Sequence, residues 1–214
     1  MKASVSLWSA DLANLKSEIQ RIDDFADMYH LDVSDGTYAA SLLLFFPDLV
    51  RALRDKTSKH FEVHLITQRP ERWVNAFAEA GANRIIFYPD CSDDWDGMIG
   101  LIRSHGLEVG MSLALENPVS SIEAYVSQLD LVCVVGTSFD LKGVQDVAPG
   151  TYEKVTELVQ LRQDRKLQYL IEADGAIRNH TVPKFSAAGA DIVVPGSLMF
   201  AGEPKAISEW LRAI

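Results

Sequence analysis

The 214-residue sequence predicts a single-domain (β/α)8 barrel, the TIM-barrel architecture, spanning residues 1–214. Three observations predict it. Short apolar runs alternate with longer amphipathic stretches from one end of the chain to the other. Polar residues recur just beyond most of the apolar runs, where a barrel gathers its functional side chains. No Gly-x-Gly-x-x-Gly turn follows the first run, which tells against an open doubly wound sheet.

The expected strands are residues 4–7, 28–33, 61–65, 84–88, 108–113, 131–135, 168–172 and 191–194. They are compact and rich in Val, Ile, Leu or aromatics, as strands buried on both faces should be. In the first unit Leu12, Leu15, Ile19 and Ile22 follow one helix face, with Ser9 or Asp11 as its cap. After the second strand, Leu42-Leu43-Leu44-Phe45-Phe46-Pro47 is unusually apolar for a connection. It is expected to cover the active site or to bury against a second subunit. Trp73, Phe77 and Ala80 mark the third helix, and Val155, Leu158, Val159 and Arg162 the sixth. Ser121 is read as a further helix cap, as is Asn179 or Thr181. Gly81, Gly106 and Gly189 are read as helix ends turning into strands.

A formal net charge of −10 argues against nucleic acid, which needs clustered Lys and Arg, and against an anionic membrane surface. It leaves room for a small phosphorylated substrate, because backbone amides can hold one phosphate without a basic patch. Two cysteines, Cys91 and Cys133, are too few for a disulfide framework and read as reduced thiols. No run approaches the ~20 apolar residues that span a bilayer, and the N-terminus lacks a signal-type apolar core. A soluble, cytoplasmic protein is expected.

Barrel active sites lie at the C-terminal strand ends. Those ends carry Ser9, His30 with Asp32, His64, Asp174 with Gly175, and Gly196-Ser197. His30 and Asp32, two residues apart on a strand, share a face. Turned inward they are costly unless paired or bound to something. With His64 and Asp174 they make two imidazoles and two carboxylates converging on one axis, a first shell suited to Zn2+ or another divalent first-row metal. Taken singly, His30 and His64 would read as hydrogen-bonded core residues, Asp174 as a turn former, and Ser9 as a helix cap. His60, His105 and His180 fall outside the strand ends and are expected at the solvated surface.

These residues match a known pattern. Leu7-Trp8-Ser9-Ala10-Asp11 resembles the Ser-Ala-Asp opening of the ribulose-phosphate 3-epimerases, and His30-Leu31-Asp32-Val33-Ser34-Asp35-Gly36 their His-x-Asp-Val-Met-Asp-Gly. Glu62-Val63-His64-Leu65, Arg69-Pro70-Glu71-Arg72, Glu172-Ala173-Asp174-Gly175-Ala176 and Gly196-Ser197 are similar to further family segments, in the same order across nearly the whole chain. The resemblance implies one divalent metal per chain, commonly zinc, held by His30, Asp32, His64 and Asp174, with Fe2+, Mn2+ or Co2+ as the alternatives for this chain. It implies inversion of the carbon next to a ketose carbonyl, with Asp32 and Asp174 exchanging the proton through a metal-stabilised enediolate. It further implies Ser9 and His64 near the substrate, a place in pentose phosphate metabolism, and dimers or hexamers. The phosphate is expected after the last three strands, at Gly143, Gly175, Ala176, Gly196 and Ser197, with Lys142 as an added point charge.

Three departures bear on the substrate. The family's Asn-Pro-Gly-Phe-Gly-Gly-Gln loop is replaced by residues 136–145, in which Gly143 survives. Ser34, Ile66 and Val135 stand where the family has methionines. Ala176 replaces the second glycine of an Asp-Gly-Gly turn, and Tyr38-Ala39-Ala40-Ser41 replaces Phe-Val-Pro-Asn. The expected substrate is therefore a ketose phosphate that need not be D-ribulose 5-phosphate: a tetrulose, pentulose or hexulose phosphate. A metal-dependent sugar-phosphate aldolase or decarboxylase, and a non-catalytic sugar-phosphate sensor, are the competing readings.

Overall fold

A computed structural model of the chain describes residues 1–139, 141 and 143–214. The apolar runs become β1 (Lys2–Ser6), β2 (Met28–Asp35), β4 (His60–Ile66), β5 (Arg84–Phe87), β6 (Glu108–Leu113), β7 (Leu131–Val135), β8 (Leu170–Asp174) and β9 (Ile192–Val193). Each pairs in parallel with the next, and β1 pairs with both β2 and β9, so the sheet closes into a barrel. A ninth strand, β3 (Leu42–Leu44), adds antiparallel to the end of β2. The apolar segment after β2 is thus partly sheet. Leu42 and Phe46 remain 64% and 52% exposed, while Phe45 is buried edge-on to Trp8.

Outside the barrel run α1 (Leu15–Ile22), α2 (Pro47–Arg54), α3 (Val74–Ala80), α4 (Trp95–Ser104), α5 (Thr151–Asp164), α6 (Val182–Ala188), α7 (Ser197–Ala201) and α8 (Pro204–Ala213). Odd residues of most strands face these helices and form the main core: Val5, Leu31, Val63, Ile85, Val109, Ile171 and Val193 are all fully buried. Each fully buried aliphatic side chain of this kind contributes about 1.5–3 kcal/mol.

Four expectations are corrected. Among the described residues no α-helix joins β6 to β7; the connection makes two short 3-10 turns, at Val119–Ser121 and Val126–Gln128. Ser121 therefore caps nothing. The segment is short, opens with a proline and is rich in Ser and β-branched residues, all poor helix formers. Secondly, α1 starts after Asn14, whose side chain makes no cap hydrogen bond, while Ser9 belongs to a 3-10 turn that extends β1 and Leu12 lies exposed. Asp11 orders the entry instead, accepting hydrogen bonds from Ala13 N and Asn14 Nδ2. Thirdly, the seventh barrel strand is shifted two residues onward, so Glu172 and Asp174 both belong to it. Fourthly, His60 opens β4 and is half-buried, with its Nε2 3.8 Å from Glu108, whereas His105 and His180 are exposed as expected.

The glycine stops hold. Gly81 and Gly189 end α3 and α6 at φ 98° and 99°, a left-handed conformation that costs other residues about 1–2 kcal/mol.

Candidate active site

Side chains two apart on β2 and β4 point into the barrel, and the register places Asp32 beside His64 and His30 beside Glu62. Asp174 ends β8, which is not a neighbour of β2, and leans in from the far side. The four predicted ligands meet. His30 Nε2 lies 3.1 Å from His64 Nδ1, 3.2 Å from Asp32 Oδ1 and 4.0 Å from Asp174 Oδ2. His64 Nδ1 lies 3.6 Å from Asp32 Oδ1 and 3.8 Å from Asp174 Oδ2.

Those spacings suit a small cation. Ligand atoms about 2.1 Å from a tetrahedral centre stand about 3.4 Å from one another. The charge also suits it, since two carboxylates with two neutral imidazoles balance a divalent ion. The pocket already favours positive charge: burial alone would keep the His30 ring neutral, but Asp32 and then Glu62 outweigh it and raise its pKa well above the ordinary histidine value. A cation at Nε2 would take the proton's place.

The candidate ligands are braced from behind. His30 Nδ1 sits 2.9 Å from Glu62 Oε1, which fixes the ring with Nε2 toward the other donors. Glu62 is fully buried, accepts from Ser4 Oγ and holds Arg84 Nη1 at 2.7 Å; Arg84 continues to Glu108. Ser6 Oγ donates to Asp32 Oδ2 at 2.9 Å, leaving Oδ1 for the histidines. Glu172 Oε1 lies 3.6 Å from His30 Nδ1, and burial and then the Glu62 charge push its carboxyl pKa well above the usual range. His30, Glu62 and Glu172 form a second cluster with donor geometry, but Glu62 is already neutralised by Arg84. Glu62→Gln is expected to weaken metal binding about 10- to 100-fold, the usual cost of losing a carboxylate behind a ligating histidine. Metal titration of the variant checks this.

Glu62, Arg84 and Glu172 are absent from the sequence-based site. The signal existed: Glu62 and Glu172 stand two residues before His64 and Asp174, so strand alternation alone turns them inward.

The two aspartates differ. Burial would raise both, yet His30 and His64 hold Asp32 below the ordinary carboxylate range. For Asp174 burial prevails, helped by the Asp32 charge, and its pKa is raised. Paired carboxylates whose pKa values are pushed in opposite directions suit acid–base chemistry.

Above Asp32 and Asp174 opens a cavity of about 250 Å³. Ser9, Gly175, Ala176, Gly196 and Ser197 line it, as do Ser6, Trp8 and Arg178. Ser9 packs so closely on Gly196 that a Cβ there would come 2.3 Å from Ser9 Oγ. Gly143 is exposed and does not line this cavity, and Lys142 lies outside the described residues. Ala176 adopts φ 54°, the left-handed conformation that its family position assigns to glycine. Ala176→Gly is expected to stabilise the fold by about 1 kcal/mol, read as a higher urea midpoint.

An aromatic wall stands opposite. Tyr88 stacks on His64 with ring centroids 5.3 Å apart, Tyr38 stacks on Tyr88 at 4.6 Å, and Phe139 meets both edge-on. Tyr38 donates to Asp90 at 3.1 Å. Of the three positions where the family has methionine, Ile66 and Val135 pack buried in this apolar cluster, while Ser34 donates to Ser41 O at 2.8 Å.

The sequence matches the ribulose-phosphate 3 epimerase family over residues 2–200. It is 35% identical over 203 residues to the ribulose-phosphate 3-epimerase of Treponema pallidum (strain Nichols), covering 94% of this chain and 92% of that protein. It is 32% identical over 213 residues to that of Bacillus subtilis (strain 168), covering 98% and 97%. Among solved structures, the 3-keto-L-gulonate-6-phosphate decarboxylase of Vibrio cholerae superposes with a TM-score of 0.71 at 12% identity, over 100% of this chain and 95% of that one. The 3-hexulose-6-phosphate synthase of Salmonella typhimurium gives 0.70 at 16% identity, over 100% and 99%. At such identities these two likenesses bear on the fold alone.

Proposed function

We infer the reaction from one premise: the chain belongs to the ribulose-phosphate 3-epimerase family. It is a sugar-phosphate epimerase, an isomerase of carbohydrate metabolism. Beyond that, we propose that it inverts C3 of a ketose phosphate, D-ribulose 5-phosphate or a related tetrulose, pentulose or hexulose phosphate. The observation that carries this is the convergence of His30, Asp32, His64 and Asp174 under a cavity that Asp32 and Asp174 themselves line.

A proton next to a carbonyl is weakly acidic, and a divalent metal, with zinc the first candidate, supplies the positive charge that the developing oxyanion requires. His30 and His64 would hold it as neutral ligands, with Asp32 and Asp174. Asp32 and Asp174 enter from strands that are not neighbours, which suits one carboxylate removing the proton and the other returning it on the opposite face. Ser9, Gly175, Ala176, Gly196 and Ser197 bound the end of the cavity where the phosphoryl group would lie. Tyr88 and the aromatics stacked on it cover His64 and help to keep bulk water from the ligands.

Incubating the protein with a panel of ketose phosphates and added Zn2+, Fe2+, Mn2+ or Co2+ tests the proposal. A C3 epimer with its carbon skeleton intact is expected from at least one of them. Carbon–carbon cleavage or loss of carbon dioxide would mean an aldolase or decarboxylase instead, and binding without turnover a sensor.

Exposed Leu42 and Phe46 flank an apolar cavity of about 270 Å³ and support a homo-oligomer. Light scattering showing a stable monomer would remove that reading. No helix among the described residues is long and apolar enough to cross a membrane.

A further inference from the structure

We infer that Arg178 is the charged contact for the substrate's phosphoryl group, a role the backbone amides of the glycine turns do not fill alone. The inference rests on the sugar-phosphate reading and adds a specificity-determining residue to it. The cavity holds two ionisable aspartates at its floor, Asp32 and Asp174, in a chain of net charge −10. A metal held by the two aspartates would only balance their charge, so a phosphoryl dianion entering there still gains from a separate fixed cation. Among the described residues that line the cavity, Arg178 is the sole Lys or Arg.

Its mounting fits the task. Arg178 follows the Gly175-Ala176-Ile177 turn directly, so guanidinium and turn amides belong to one short piece of chain. The base of that turn is fixed: Thr181 Oγ1 accepts from Arg178 N at 2.8 Å and donates to Ala176 O at 2.7 Å. The guanidinium is held more lightly. Nη2 donates to the neutral Gln145 carbonyl at 2.6 Å, and Nη1 to Asp146 Oδ1 at 3.1 Å, a carboxylate 91% exposed. An ion pair so open to water contributes little, whereas guanidinium and phosphoryl oxygens form a bidentate, doubly charged pair. A phosphoryl group can therefore displace Asp146 at small cost. The same arm reaches the β7–α5 loop: the Gln145 side chain clamps Ser138 and Leu141, and the Gln145 backbone carbonyl is the one Arg178 holds.

The test compares wild type with Arg178→Ala, Arg178→Gln and Arg178→Lys, all metal-loaded, on the ketose phosphate the wild type epimerises best. Loss of one charge-assisted contact to a partly exposed site predicts a KM increase of about 10- to 100-fold, with kcat changed far less. Inhibition by inorganic phosphate should weaken in parallel, and lysine should recover part of both. Glutamine keeps a polar arm, so the uncharged state remains testable if the alanine variant folds poorly. Unchanged KM and unchanged phosphate inhibition in a folded Arg178→Gln would overturn the assignment. A wild type that binds inorganic phosphate through Arg178, by calorimetry, yet epimerises no ketose phosphate would defeat the functional reading and leave this contact standing.

Discussion

Asp174→Asn is expected to reduce epimerisation by about 100- to 10,000-fold, the usual worth of a positioned general acid or base. The amide keeps the volume and can still hydrogen-bond, but it can neither take up nor deliver the proton. Asp32→Asn should fall as far, because inversion requires both faces to be served. The effects should not add in the double variant, since either loss alone stops the exchange of sides. Steady-state rates in both directions, with metal content measured on the same samples, check this. A variant that keeps its metal and also keeps more than a tenth of the wild-type rate contradicts the proton-transfer role.

His64→Ala should strip the site. The ring supplies Nδ1 to the donor cluster and is packed beneath Tyr88, so its removal deletes one ligand of four and opens a gap beside the others. Elemental analysis of wild type should find about one divalent ion per chain, the number a single four-ligand site holds. The variant should find little. Truncating a buried ring also costs stability, on the order of 2–4 kcal/mol by comparison with other large-to-small core changes. A melting curve taken alongside separates loss of metal from loss of fold. Metal retained at the wild-type level in folded His64→Ala would place the ion elsewhere.

Most of the barrel was legible because buried parallel strands are nearly unbroken apolar runs, and β2, β4, β6 and β7 appear in the sequence almost at their true bounds. The missing helix between β6 and β7 was less legible, since its apolar residues Val119, Ile122 and Val126 are buried at near-helical spacing but in 3-10 turns. Periodicity does not separate those two states over so short a span. The start of α1 was misplaced for a similar reason: Ser9 and Asp11 are both good cap types, and the local turn that starts α1 after Asn14 depends on how β1 ends. Thr181, by contrast, does stand at the N-cap position of α6.

The four candidate ligands could be named from the sequence because they are polar residues set within or at the end of buried strands. What braces them was not named, because Glu62 and Glu172 read as ordinary charged residues until the register sets them against His30 and Arg84. Arg178 was invisible for a different reason. Its meaning lies in contacts to Gln145 and Asp146, more than thirty residues away, across a turn and a loop whose relative placement no local pattern encodes.

The most direct test of the central claim is solvent exchange at C3. Metal-loaded protein is incubated with the ketose phosphate in D2O, and the recovered sugar is read by NMR. The account predicts deuterium at C3 in the epimer formed, none at the other carbons, and no label once the metal is removed by chelation. Sugar returned unlabelled and unepimerised by protein carrying its full metal complement would contradict it.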